Sequence, residues 1–224
     1  MPRKLRTTRR PTPAQLGLSD AEGRELMALA TPWQIQEFVI GLHANFEPGG
    51  DTLRSVRGVL EHRVAHCIEA AFTAACALWL QGEPPLLMDL EAKGDSDHVV
   101  ALFRRNGCWG AISKSNHVWL RWRDPVYRSL RELAMSYLHE YTNKQRKSLR
   151  TYSVSVDLRR FAPEDWITND KDCWEVGAAL ADVRHYRLLT PRQARELAPR
   201  DATELRADDL VQYESEDRKT ARKY

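Results

Sequence analysis

The sequence predicts an α+β fold in which a helical part packs on a small antiparallel sheet. Three observations predict it. Apolar residues recur at helical spacing from Ser19 to Leu80, short strand-like runs divided by turn residues follow from Leu86 to Trp122, and helical patterns return after Asp124. Elements grouped by kind, rather than alternating, describe a segregated sheet. With 224 residues, of which 42% are hydrophobic and 29% charged, the chain is long enough for one full-sized domain with its own core.

Residues 1–18 are rich in Arg, Thr and Pro and read as a flexible basic arm; Arg3, Lys4, Arg6, Arg9 and Arg10 stand there without an acid. Residues 19–150 read as the core and 151–224 as a C-terminal, mostly helical appendage. Ser19 caps a short helix, with Glu22 three positions on. Thr31-Pro32-Trp33 starts a second, in which Ile35, Phe38, Val39 and Leu42 form an apolar stripe. Glu47 to Asp51 is a turn around Pro48-Gly49-Gly50. A third helix begins at Thr52 and carries Leu53, Val56 and Leu60. Val64 to Leu80, Ala-rich and apolar on most sides, is the central buried helix.

Gly82-Glu83-Pro84-Pro85 ends that helix. Leu86–Leu90 is then a strand, Lys93–Asp97 a turn and His98–Phe103 a buried second strand. Arg105-Asn106-Gly107 is a hairpin turn leading to a third strand, Cys108–Ser113. Val118–Trp122 is a fourth strand. Asp124-Pro125 leads into a helix through Leu130, Leu133, Ala134, Tyr137 and Leu138. Tyr152–Val156 adds a strand, and short helices cover Trp174–Leu180, Pro191–Leu197 and Ala202–Leu210 before a mixed-charge tail from Arg218.

Composition excludes several functions. The net charge is +3 and much of it sits in the arm, so the near-neutral body argues against a dedicated nucleic-acid binder. Arg121, Arg123 and Arg128 interleave with Trp119, Trp122 and Tyr127; this reads as an amphipathic strand edge with snorkelling arginines rather than a nucleic-acid grip. No stretch of ~18 apolar residues and no apolar segment near Met1 occurs, so the expectation is a cytoplasmic protein without a membrane partner. Oligomeric state leaves no signal. The four cysteines, Cys67, Cys76, Cys108 and Cys173, form no C-x-x-C pair, which removes zinc-ribbon and thioredoxin readings. His62 and His66 would share one face of a continuous helix, as zinc ligands do, but Arg63 stands where a zinc protease needs its Glu. No metal and no cofactor are expected.

The chemistry concentrates on Cys67 and His98. A cysteine attacks as its thiolate, and a thiol pKa near ~8.5 leaves little of it at neutral pH. A helix N-terminus and a nearby imidazolium both lower that value. Cys67 lies in the first turns of the Ala-rich helix, and His98 opens a strand able to pack beside it. Cys76 is nine residues on, or ~900° around the helix, so it points to the opposite side and into packing. Cys108 beside Trp109 and Cys173 beside Trp174 have no suggestive neighbour and read as structural.

These residues carry a resemblance. The segment from Ile35 to Ser115 resembles the transglutaminase-like superfamily, within the broad papain-like group of thiol enzymes. A helix begins with a Cys after a polar lead-in (Arg63-Val64-Ala65-His66-Cys67), and ends in a Gly-x-Pro turn before a strand (Gly82-Glu83-Pro84). A His begins the next strand (Asp97-His98-Val99), and a Gly-x-Trp turn (Gly107-Cys108-Trp109) opens a third. The resemblance implies a transglutaminase-like or papain-like fold and amide chemistry on a protein or peptide: hydrolysis, deamidation or transamidation. Cys67 would be the nucleophile and His98 the base and acid. The family places an Asp four residues after that Trp to orient the His; here Ser113 stands there. Asn116, or second to it Ser113, is expected to orient His98, as an Asn does in papain-like proteases. Asp89 and Asp97 are further candidates, although Asp97 precedes His98 and faces the other way. The family also has Gly two residues before the Cys, where this chain has Ala65. The missing acid leaves an alternative: a non-catalytic scaffold that acts as a protein-binding module through its Trp- and Arg-rich strand region.

Overall fold

A computed structural model of the protein describes residues 10–144 and 146–214. The basic residues through Arg9 and the tail from Arg218 lie outside the described residues. Packing begins earlier than residue 19. Ala14–Leu16 forms a 3-10 turn, and Leu16 and Leu18 are buried in the main core, so this part of the expected flexible arm is folded. Burial of Leu16 and Leu18, roughly 1.5–3 kcal/mol each, holds this turn against the core.

Helix α1 (Asp20–Met27) carries the expected capping box between Ser19 and Glu22, and α2 (Pro32–Gly41) a second between Thr31 and Gln34. A two-residue strand β1 (His43–Ala44) follows. Helix α3 (Val56–His62) starts at the Ser55 cap, four residues later than its apolar pattern suggests. Residues 52–54 stay outside the helix because Thr52 and the Arg54 N–H are bonded to the carboxylate of Glu69.

The central helix also starts later than expected. Arg63 takes a left-handed conformation (φ 57°) and ends α3, and β2 (Val64–Ala65) pairs in parallel with β1. Only then does α4 (Cys67–Leu80) begin, with His66 at the cap position and Cys67 as first helical residue. Nearly all of α4 from Glu69 to Leu78 is buried.

Strands β3 (Leu86–Ala92), β4 (His98–Arg105), β5 (Cys108–Ile112) and β6 (Arg123–Tyr127) lie in chain order, joined antiparallel. Asn106 (φ 51°) and Gly107 (φ 82°) make the tight turn between β4 and β5, where two positive φ values are required. The expected fourth strand at Val118–Trp122 is instead a 3-10 turn at Val118–Leu120, because this loop folds back to bring the Leu120 carbonyl to His98. The strand falls on β6, at the end of the sheet, where Pro125 costs no ladder bond. Helix α5 (Leu130–Met135) then starts at the Ser129 cap rather than near Asp124, and Tyr137 and Leu138 are buried in the turns beyond it.

A small hairpin of β7 (Thr142–Asn143) and β8 (Arg146–Lys147) leads to β9 (Leu149–Ser153), which pairs antiparallel with β3. Beyond residue 150 the chain adds strands as well as helices. β10 (Val156–Asp157) pairs with β3, and β11 (His185–Arg187) extends the sheet to the order β11-β9-β3-β4-β5-β6. Helices α6 (Pro163–Trp166), α7 (Trp174–Ala181), α8 (Pro191–Glu196) and α9 (Ala202–Asp208) complete the order.

The architecture is α+β, with this antiparallel sheet between two apolar layers. Val99, Ala101 and Phe103 of β4 join the core that contains α1 to α4, while Val100 and Leu102 join the one around α5. That two-sided burial explains why β4 reads as a continuous apolar run. No helix among the described residues is long and apolar enough to cross a membrane.

Candidate active site

Cys67 owes its position to the irregular residues before it. The Arg63 turn and the β1–β2 pairing carry the chain to the open end of α4, and His66 anchors there: its N–H donates to Glu69 Oε2 (2.9 Å). Glu69 is fully buried and also accepts from Asn45 Nδ2 (3.1 Å), Thr52 Oγ1 (3.1 Å) and the Arg54 N–H (2.9 Å). Burial works against this carboxylate, but attraction to His66 and those N–H bonds hold its pKa below the ordinary range. As the first residues of α4, Cys67 and Ile68 direct N–H groups outward with no intrahelical acceptor.

Two imidazoles flank the thiol. His66 Nε2 meets the Thr52 carbonyl (2.9 Å), with Glu69 (3.6 Å) and Glu47 (3.7 Å) beyond. His98, the first residue of β4, lines the same cleft as Cys67. Burial alone would raise the thiol; the hydrogen bonds to His66 and His98, and their charges, outweigh it and bring Cys67 down to about 5. His66 moves the other way. Burial opposes its charge, but the bond and attraction to Cys67, and then Glu69, lift it to about 9. The Cys67 sulfur also lies 3.9 Å from the Asp97 carbonyl oxygen.

His98 is held by Ser113. Its Nε2 lies 2.5 Å from Ser113 Oγ and 3.1 Å from the Leu120 carbonyl oxygen, and Ser113 Oγ in turn donates to that carbonyl (2.9 Å). A carbonyl only accepts, so Nε2 carries the proton and Nδ1 is the basic nitrogen left for the thiol. The edges of Tyr137 and Tyr141 close the ring in at centroid distances of 6.4 and 6.3 Å. Ser113 is fixed in turn by Gln36, whose side-chain amide donates to the Ser113 carbonyl (2.9 Å) and accepts from its N–H (2.9 Å).

The four expected site residues therefore divide. Cys67, His98 and Ser113 come together. Asn116 is turned away, its amide donating to the Tyr213 carbonyl (2.8 Å) and accepting from the Tyr213 N–H (2.8 Å), so the first-choice partner of His98 is replaced by the second. Asp89 is taken up by His185 (3.2 Å), and the Asp97 carboxylate accepts the Ala92 N–H (2.9 Å). Sequence reasoning missed Gln36 and Glu69. Their signal was a polar residue inside an apolar helical stripe, a place where side chains are buried and must find partners.

The two buried thiols, Cys76 and Cys173, differ from Cys67. Burial pushes Cys76 far up and, with Asp172 next, Cys173 up to about 12. The His62–His66 pair does not share a helix face, because the Arg63 turn separates them. Among the described residues no cluster of three or more His, Cys, Asp or Glu side chains has the arrangement of a metal site.

The site opens into a cleft of about 320 Å³. Ala44, Asn45 and Ala65 line one wall, and Lys114, Ser115, Asn116 and His117 another. Lys114 is buried; its Nζ donates to the Leu42 carbonyl (2.6 Å), and burial, then Arg121, lowers its pKa to about 8. No family model matches the chain, and no curated protein matches it.

Proposed function

We propose that this protein is a cysteine-nucleophile enzyme that acts on amide bonds of a protein or peptide, on a transglutaminase-like scaffold. One observation carries the reading: Cys67 stands at the N-terminus of α4 with its sulfur beside the Asp97 carbonyl (3.9 Å) and in the same cleft as His98, while Ser113 and the Leu120 carbonyl hold Nε2 of that imidazole. Ser113 occupies the place, four residues after Trp109, where the family keeps its acid. The order of Cys helix, His strand and Trp strand supports the same scaffold.

In this mechanism the Cys67 thiolate attacks the amide carbon and a C–S bond forms. Negative charge moves to the carbonyl oxygen, where the Cys67 N–H and the helix dipole stabilise it. As the C–N bond breaks, His98 gives its proton to the leaving nitrogen, which leaves a thioester. Water or an amine then attacks the thioester, His98 takes the proton, and the thiolate is released. Water gives hydrolysis or deamidation; an amine gives transamidation.

The rival reading, a non-catalytic binding module on the same scaffold, rests on one fact: among the described residues no carboxylate touches His98. Iodoacetamide labelling against pH, with peptide mapping of all four cysteines, separates the two. The enzyme reading expects selective labelling of Cys67 with an apparent pKa well below ~8.5, raised in His98→Ala. Slow labelling of Cys67 that is indifferent to His98 would leave the binding module.

A further inference from the structure

Beside the cleft, Val211 forms an antiparallel bridge with the loop at Asn116 and His117, and the chain bends at Gln212 and Tyr213. Val211 bridges His117, and the Gln212 N–H donates to the Asn116 carbonyl (3.1 Å). The Asn116 side chain then acts as a further ladder unit, making both bonds to the Tyr213 backbone (2.8 Å each). At the end of α2, Gln212 Nε2 donates to the Ile40 carbonyl (3.2 Å) and the Tyr213 hydroxyl to the Leu42 carbonyl (3.3 Å). The Tyr213 ring lies 4.2 Å from the His43 ring, and Lys114 Nζ lies 5.6 Å from its centroid. Val211 and Tyr213 are half-buried while Gln212 and Glu214 are exposed.

The segment therefore ties the Asn116–His117 edge of the cleft to the chain around the end of α2 through hydrogen bonds to main-chain carbonyls and one seated aromatic ring. Strand addition with side-chain pockets at alternate positions is a general way of holding an extended peptide. We propose that the Asn116–His117 edge is the peptide-binding subsite of the cleft, that its partner is an extended polypeptide with an aromatic residue in the Tyr213 position, and that the chain's own residues 211–213 occupy it until displaced. The substrate class deepens the reading of Cys67 as nucleophile and rests on it; the occupancy of the subsite does not.

The covalent tether gives the internal segment an effective concentration of the order of ~1 mM, so a free peptide competes poorly with it. The test uses the full chain and a fluorescein-labelled peptide, Asp-Leu-Val-Gln-Tyr-Glu, copied from residues 209–214. The double variant Gln212→Pro with Tyr213→Ala removes an N–H donor and the ring. By fluorescence anisotropy it should bind the peptide at least ~10-fold tighter than the parent does, as release from the tether requires. That binding should vanish when Asn116→Ala is added, or when the peptide's Tyr is replaced by Ala. Equal binding by parent and double variant, with unchanged circular dichroism, overturns the inference. Iodoacetamide labelling of Cys67 in the same samples keeps the two readings apart. Fast labelling without a gain in peptide binding removes the subsite and leaves the nucleophile. A gain in peptide binding beside an inert Cys67 keeps the subsite and removes the nucleophile.

Discussion

Glu69→Gln tests the frame on which the thiol rests. Oε2 of Glu69 accepts from the His66 N–H and Asn45 Nδ2, and Oε1 from the Arg54 N–H and Thr52 Oγ1. A glutamine supplies one oxygen, and in either orientation its NH2 group faces two donors. Each hydrogen bond to a buried charge is worth about 1.5–3 kcal/mol, so the loss of two gives about 3–6 kcal/mol. Breaking a buried ionic network by removing one partner costs a similar 3–5 kcal/mol or so. With about 4 kcal/mol, and about 2–4 °C per kcal/mol for a domain of this size, Tm should fall by about 8–16 °C. The pH dependence follows from the direction of the shift. The folded-state pKa of Glu69 lies below its unfolded value, so its contribution is complete above the ordinary Glu pKa of about 4.3 and is lost as pH falls through the folded value. Urea unfolding of parent and variant should therefore differ by a constant amount between about pH 6 and 5, where the contribution of His66 is also complete, and converge only under about pH 4. A Tm change under about 2 °C, or a difference that widens as the pH falls below about 5, would refute the account of Glu69 as a charged hub.

Three further substitutions test the site and the sheet. In His66→Ala the thiolate loses one of two imidazoles; a single neighbouring charge moves a pKa by about 1–3 units, and two units would carry Cys67 from about 5 to about 7. Alkylation at pH 6 then slows about tenfold while rates above about pH 8 converge, and superimposable profiles would remove His66 from the site. Ser113→Ala removes one of two acceptors at His98 Nε2 and leaves the Leu120 carbonyl, so the loss is about 1 kcal/mol, or about fivefold in the Cys67 labelling rate at neutral pH. A fall of about a hundredfold there would mean that the carbonyl does not hold the ring by itself. In Gly110→Ala the new Cβ would lie 2.5 Å from the Phe103 ring and 2.9 Å from the Arg123 carbonyl oxygen. Overpacking of about 1–3 kcal/mol should appear as a lower urea midpoint with an unchanged slope, and a midpoint equal to the parent's would contradict this packing of β5 between β4 and β6.

What the sequence reveals of this molecule follows the range of the forces involved. The caps at Ser19 and Thr31 and the Asn106-Gly107 turn are decided within four residues, and they are legible. The start of α4 is not, because Val64 and Ala65 leave the helix to pair with His43 and Ala44, some twenty residues away. Val118–Trp122 and Arg123–Tyr127 both carry strand-like side chains, and the choice between them is made by a carbonyl that reaches from Leu120 to His98. The partner of His98 is the instructive case. Residue type favours Asn116, since an amide resembles the Asn of papain-like proteases. Register favours Ser113: a two-residue turn sets Arg105 opposite Cys108, and Ala101 then falls opposite Ile112. One step further along the hairpin, Ser113 faces Val100, which shares a face of β4 with His98 two residues away, within diagonal reach across the pair. Asn116 lies past the end of β5 and outside that register, and its amide bonds the backbone of Tyr213 instead. Position on the sheet, which the hairpin turn already encodes, therefore selects the residue that holds the imidazole, and chemical likeness does not.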